Sequence, residues 1–400
     1  MRLTRLVSAA ILSAAVSSVA LADEPSNVTS QNQANRLAIF HDYGISAIGS
    51  TAANMPGDSG GGIISPFMGH YASTEPVKTF RPWYISATPV VGYDDNPEAS
   101  QAQTSSIFAG FDLAAGYGWQ SQEAYPILGP LWSANVTYDL QGAVYEGNVK
   151  QANVLQQNVR AEAQRHFLDE GIVASGYLGD SYTNYHGYSF ANSLDLGGAV
   201  EGFVLPQLSA ELGYDYSHLQ YFYSTTAPQD PDTERNFLSA ALHFYTLPQV
   251  TGAIPEAPDR FTEILRETFN RATLRFGHLW NKSDGQDYSM ESNRLTFGLE
   301  GVHPLNVRDV YFDFLYGHEW QVYQHPNSIA PPSLTKQPNA RRSDHLDIIT
   351  LRANARLFDL PKGRGTMLAF LQYDMIHDWS NIAVRNFDEN IVSVGVTYRY

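Results

Sequence analysis

From Trp83 to the last residue, apolar and polar side chains alternate one by one in short runs separated by turn-forming residues. Trp132, Ala134, Val136, Tyr138 and Leu140 interleave with Ser133, Asn135, Thr137, Asp139 and Gln141. Leu208, Ala210, Leu212, Tyr214 and Tyr216 interleave with Ser209, Glu211, Gly213, Asp215 and Ser217. Ile349, Leu351, Ala353, Ala355 and Leu357 do the same with Thr350, Arg352, Asn354 and Arg356. Successive side chains of a strand point to opposite faces, so a period of two marks a strand with one apolar and one polar face. Fourteen segments are predicted, beginning near Tyr84, Ile107, Leu131, Val154, Ile172, Phe190, Leu208, Phe237, Ala272, Arg294, Asp309, Leu346, Met367 and Asn390. One such run is a weak signal; a series of them is a strong one.

The connections alternate as well. Every second one carries a proline: Leu128-Gly129-Pro130, Leu205-Pro206, Leu247-Pro248, His303-Pro304 and Leu360-Pro361. Those between are longer and polar, at Asp94 to Thr104, Ser224 to Arg235, Asn281 to Ser292, Tyr323 to Asp344 and His377 to Glu389. Short turns at one end and long loops at the other are the layout of a membrane barrel. The expected fold is all-β: a transmembrane antiparallel β-barrel over residues 81–400 with about 14 strands, 12 or 16 being the alternatives. One turn departs from the rule. Within Leu247 to Asn270, Phe261, Ile264, Leu265 and Phe269 recur at helical spacing after Pro255 and Pro258, which predicts a short amphipathic helix on the barrel rim.

The last run is the clearest. Val392, Val394, Val396, Tyr398 and Tyr400 hold one parity, and Ser393, Gly395, Thr397 and Arg399 the other. A strand of this length ending on an aromatic resembles the closing strand of bacterial outer-membrane barrels. That resemblance implies an assembly signal at Tyr398 and Tyr400, read by the barrel-assembly machinery, with Tyr400 in place of the commoner Phe. At the other end, Trp83-Tyr84-Ile85-Ser86-Ala87-Thr88-Pro89-Val90-Val91-Gly92-Tyr93-Asp94-Asp95-Asn96 resembles the first strand and loop of the putative β-barrel porin families and of barrels in exopolysaccharide-secretion systems. The helical repeat scaffold carried by many polysaccharide exporters has no room in this chain.

Composition narrows the class. Charged residues make up 16% of the 400 and aromatics 12%, with 24 Tyr. The mean hydropathy of −0.27 is too polar for a helical membrane protein, but a barrel turns only alternate residues to lipid. There is no cysteine, hence no disulfide framework or thiolate metal site. A net charge of −16 argues against nucleic acid as a partner. Arg2 and Arg5, the apolar run Leu6 to Leu21 and Ala20-Leu21-Ala22 predict a secretory signal peptide over residues 1–22. Cleavage would take the net charge from −16 to about −18 by removing those two arginines. Residues 23–80 carry no regular pattern and read as an irregular periplasmic or plug segment. Gly57-Asp58-Ser59-Gly60-Gly61 matches the string around a trypsin-like nucleophile, but too little chain precedes it to build the domains that position a His and an Asp.

If the apolar parity faces lipid, the other faces the lumen. It carries the acids Asp195, Glu201, Glu211, Asp215, Glu300 and Asp313 and the bases Arg160, Arg275, Arg352 and Arg356. Charges in a dry interior must be paired, so the expected partners are Arg275 with Glu300, and Arg352 or Arg356 with Asp313 or Glu319. Asp195, Glu201, Glu211 and Asp215 lie on consecutive strands with no base between them, and read either as an acidic wall favouring cations or as solvated residues without a selective role. His218, His278 and His318 fall with the lipid-facing series and read as interfacial girdle residues. The histidines form no metal-ligand pattern, no Ser-His-carboxylate set can be assembled from spacing, and no cofactor is expected. The sequence therefore reads as a non-enzymatic outer-membrane channel for small hydrophilic solutes, with lipid around it and both termini periplasmic. The alternatives are a barrel of an exopolysaccharide export system, or a closed structural or adhesive barrel acting through its surface loops.

Overall fold

The computed structural model describes Arg36 and Ile39, and residues 83–400 apart from 100–103, 122–123, 126–128, 148, 150–151, 168–170, 223–230, 247–258, 261–267, 286, 306–307, 327–340, 362–363 and 383–385. The proposed leader lies outside the described residues. So do the rest of 23–80, the Gly57–Gly61 string, and Phe261, Ile264 and Leu265, on which the expected rim helix rests; Phe269 opens a strand instead.

Among the described residues sixteen strands follow in order: β1 (Trp83–Asp94), β2 (Ser106–Gln120), β3 (Ala124–Tyr125), β4 (Gly129–Pro130), β5 (Trp132–Tyr145), β6 (Val154–Phe167), β7 (Ile172–Tyr185), β8 (Tyr188–Leu205), β9 (Leu208–Tyr221), β10 (Thr233–Tyr245), β11 (Phe269–Ser283), β12 (Met290–Leu305), β13 (Arg308–Pro326), β14 (Arg341–Asp359), β15 (Thr366–Ser380) and β16 (Phe387–Arg399). β3 and β4 are two-residue strands paired with each other; the other fourteen close into one antiparallel barrel. Each barrel strand contains, or starts beside, one of the fourteen alternating runs. Their starts differ by up to five residues because pairing carries strands into polar loop sequence, as where β14 begins at Arg341 rather than Leu346.

Closure joins the first strand to the last. β1 pairs with β16 from Ser86↔Arg399 to Asp94↔Ile391. Beyond the paired register, the Tyr400 N–H donates to the Ile85 carbonyl at 2.9 Å, and the Tyr400 ring stacks on Trp83 with centroids 4.9 Å apart. Gly395 is small by necessity, since a Cβ there would run into the Phe370 ring and the Pro89 carbonyl on the flanking strands. Between β7 and β8, His186 and Gly187 both take positive φ (52° and 86°), which is what a two-residue hairpin loop matching the strand twist demands.

The outer face is an apolar belt. Leu113, Val136, Val159, Leu178, Leu196, Leu212, Leu242, Leu274, Leu351, Leu371 and Val394 are all exposed around it. Aromatic rings bound the belt at both ends. Trp83, Tyr117, Trp119, Trp132, Phe167, Phe244 and Phe358 lie toward the end where β1 begins, and Tyr93, Phe222, Trp280, Trp320 and Trp379 toward the other. At that second end His278, His318 and His377 pack edge-on against Trp280, Trp320 and Trp379, with ring centroids 4.3, 4.2 and 4.6 Å apart. Water would not tolerate so continuous an exposed apolar band. An apolar band flanked by aromatic girdles on a closed barrel is what lipid selects. The chain is a membrane-spanning barrel of the outer-membrane type.

Candidate functional site: the barrel lumen

Inside, the barrel has two unlike walls. The wall built by β9–β14 carries buried ion pairs. Arg271 Nη2 lies 2.6 Å from Glu300 Oε1, Arg275 Nη2 2.7 Å from Glu211 Oε1, and Arg294 Nη2 2.9 Å from Glu319 Oε2. Arg352 Nη1 lies 3.6 Å from Asp313 Oδ2, and its Nε donates to Gln372 Oε1 at 3.0 Å. The register makes a row of them: Arg271, Glu300, Asp313, Arg352 and Gln372 stand opposite one another on five successive strands.

The wall built by β5–β8 is different. The lumen side chains of β6, Gln156, Asn158, Arg160, Glu162 and Gln164, are all half-buried, as are Ser175, Tyr177 and Ser181 on β7 and Asp195 on β8. Arg160 donates to Glu162 on its own strand, and its guanidinium lies over the Tyr177 ring at 3.8 Å. Tyr177 in turn donates to Asp215 Oδ1 at 2.7 Å, and Ser193 donates to Asp195 Oδ2 at 3.0 Å.

A third feature comes from outside the barrel strands. Arg36 and Ile39, three residues apart and so on one helical face, are buried in the lumen. Arg36 pairs with Asp94 of β1 at 2.9 Å and with Glu389 of β16, and Tyr145 donates to the same Asp94 oxygen at 3.1 Å. Apolar lumen side chains surround the group, among them Val90, Phe108, Tyr185, Leu346, Ile376 and Ile391.

These positions revise the expected pairings. Arg275 stands opposite Thr296, not Glu300; the partner of Glu300 is Arg271, one helical-sized step away in sequence but directly opposite in register. Arg275 instead reaches Glu211 across β10, where Ala241 faces both of them and is small enough to pass over. A base therefore does lie beside the four acids of β8 and β9, supplied by β11, two strands away from β9. Arg352 meets Asp313 as expected, whereas Arg356 bonds Asp359 past a register shift, at the rim. Glu319 belongs to Arg294. Tyr398 faces outward and donates to the Arg364 carbonyl at 2.7 Å. Arg271, Arg294 and His243 have the lumen parity of their strands and could have been found by it; Arg36 lies in patternless sequence and could not.

Among the described residues, one cluster holds potential metal ligands. Glu201, Glu211 and His243 are buried, and one ligand atom from each lies within 4.8 Å of the others.

No family model and no curated protein matches the chain. Among solved structures it is similar to a bacterial polysaccharide outer membrane secretin, at 8% identity over 79% of this chain and 98% of that one, TM-score 0.40. It is similar also to OccAB3 of Acinetobacter baumannii (6% identity, 80% and 99% covered, TM-score 0.37) and to OprD of Pseudomonas aeruginosa (8% identity, 80% and 95% covered, TM-score 0.35). At these identities and scores, the membrane-barrel reading rests on the chain's own girdles and closure.

Proposed function

We propose that the barrel is an outer-membrane channel for small hydrophilic solutes, with the path running along the β5–β8 wall. The observation that supports this most is the half-buried polar lining of β6. Five successive lumen positions, Gln156 to Gln164, are polar and half-buried. Polar groups left without protein packing inside an apolar-belted barrel are best satisfied by water. The β9–β14 wall, with its charges buried and paired, acts as scaffold. Arg36 and Ile39 narrow the path at the end opposite the start of β1, and the ion pairs to Asp94 and Glu389 hold them there. On this reading residues 1–22 are removed on export, both ends of the barrel face the periplasm, and the assembly machinery reads the strand ending at Tyr400.

The test is solute flux. The mature protein in liposomes should admit sugars and amino acids of monosaccharide size while retaining larger oligosaccharides. Liposomes tight to every small solute would overturn the channel reading in favour of a closed barrel acting through its loops.

A further inference from the structure

We propose that Glu201, Glu211 and His243 form a binding site for one divalent transition-metal ion in the lumen. The three residues come from β8, β9 and β10, close to the short β8–β9 turn. Glu201 and Glu211 stand directly opposite each other. Like charges in that relation repel, and Arg275 takes up only one of them, through Glu211 Oε1 at 2.7 Å.

Each of the three has one polar atom held and one left over. Glu201 Oε1 accepts hydrogen bonds from Ser209 and, at 2.9 Å, from Tyr245, while its buried Oε2 has no hydrogen-bond partner. His243 is fully buried and its Nδ1 lies 3.0 Å from the Thr273 hydroxyl. With Nδ1–H donating there, the lone pair of Nε2 points away from Thr273. Nε2 has no hydrogen-bond partner either, and Glu211 Oε2 lies 3.5 Å from it. One ligand atom from each of the three lies within 4.8 Å of the others, and the held atoms are fixed by two hydroxyls, a phenol and a guanidinium. Outer partners of this sort orient metal ligands.

The dimensions suit a small ion. Bonds of about 2.0–2.2 Å in a tetrahedral site put ligand atoms roughly 3.3 Å apart. The His243–Glu211 separation is already near that, and the 4.8 Å limit on the set requires Glu201 to move by little. One imidazole and two carboxylates favour a borderline first-row ion such as zinc over magnesium or calcium. A fourth position facing the lumen is left for water.

The experiment uses the folded mature barrel in detergent, stripped with chelator and dialysed against Zn²⁺ alone. One tightly bound Zn²⁺ per chain is expected, with a Zn²⁺-dependent rise in the unfolding temperature. Glu201→Gln and His243→Gln should each weaken binding more than about 100-fold. Thr273→Val, which removes only the orienting hydroxyl, should weaken it about 10-fold, the lower range for an outer partner. Heat-modifiable migration shows which variants fold, and Thr273→Val alone keeps the proposal testable if the ligand variants do not. No tight binding by the unaltered protein, or binding unchanged in the folded variants, would overturn the site.

Discussion

The two walls of the lumen share residue types and differ in what surrounds them. On β9–β14 arginines and carboxylates stand opposite one another in register and are buried, so each charge depends on its neighbour. On β5–β8 a run of polar lumen side chains, from Gln156 to Gln164 on β6 with Ser175, Tyr177, Ser181 and Asp195 beside it, is half-buried, and the Arg160–Glu162 pair lies along one strand rather than across two. In the first wall a charge is a structural element whose loss strands its partner. In the second, water can replace what is removed. The same substitution should therefore cost stability on one side and alter transport on the other.

The largest expected effect is on the paired wall. Arg294→Met breaks the pair with Glu319, which is fully buried, and breaking a buried pair from one side costs about 3–5 kcal/mol. Arg160→Met removes a partly exposed member of a pair, and should cost less than about 1 kcal/mol. Unfolding of the two variants in urea, followed by heat-modifiable migration, separates them; equal losses would erase the distinction between the walls.

The faces of one strand give the next largest contrast. On β7, Leu178 is exposed on the belt and Ser181 faces the lumen. Leu178→Arg puts a charge against hydrocarbon, at about 2–4 kcal/mol if near the midplane, whereas Ser181→Arg should be tolerated within about 1 kcal/mol, since its head can reach water. The reverse order would mean that the strand faces are exchanged.

A smaller effect is expected at closure. Tyr400→Ala removes the stacking on Trp83, worth about 0.5–1.5 kcal/mol, but leaves the backbone bonds to Ile85. Folded barrel should form more slowly and in lower yield while the assembled form keeps its migration; unchanged yield would remove the support for a signal at this residue. Arg160→Gln should change stability least and selectivity most. Removing the positive charge beside Glu162 and Asp195 should move the reversal potential across a KCl gradient toward cations, and the shift should shrink in concentrated salt, where charges are screened within a few ångströms. No shift at low salt would place the solute path elsewhere.

Strand number, faces and closure were legible in the sequence because a period of two is local, and a one-residue slip would turn every Val of β16 inward. Lumen orientation of Arg352 and Asp313 followed from the same parity. Pairing was less legible, because it depends on register and on what lies between. Nothing in the sequence marks Ala241 as the gap through which Arg275 reaches Glu211. Nor does it mark Thr273 as the residue that turns His243 toward two glutamates more than thirty residues earlier. Arg36 was invisible for another reason: its partners, Asp94 and Glu389, belong to the two strands that meet only when the barrel closes.

Arg36 also offers the most direct measurement. Single-channel conductance in planar bilayers compares the unaltered protein with Arg36→Ala and Arg36→Lys. If an aqueous path runs along β5–β8 and Arg36 narrows it, the unaltered barrel conducts weakly. Arg36→Ala, with Asp94 and Glu389 left to water, should then conduct more, and Arg36→Lys should stay close to the unaltered value. Equal conductance in all three, or none in any, would contradict a water-filled path held narrow by this residue.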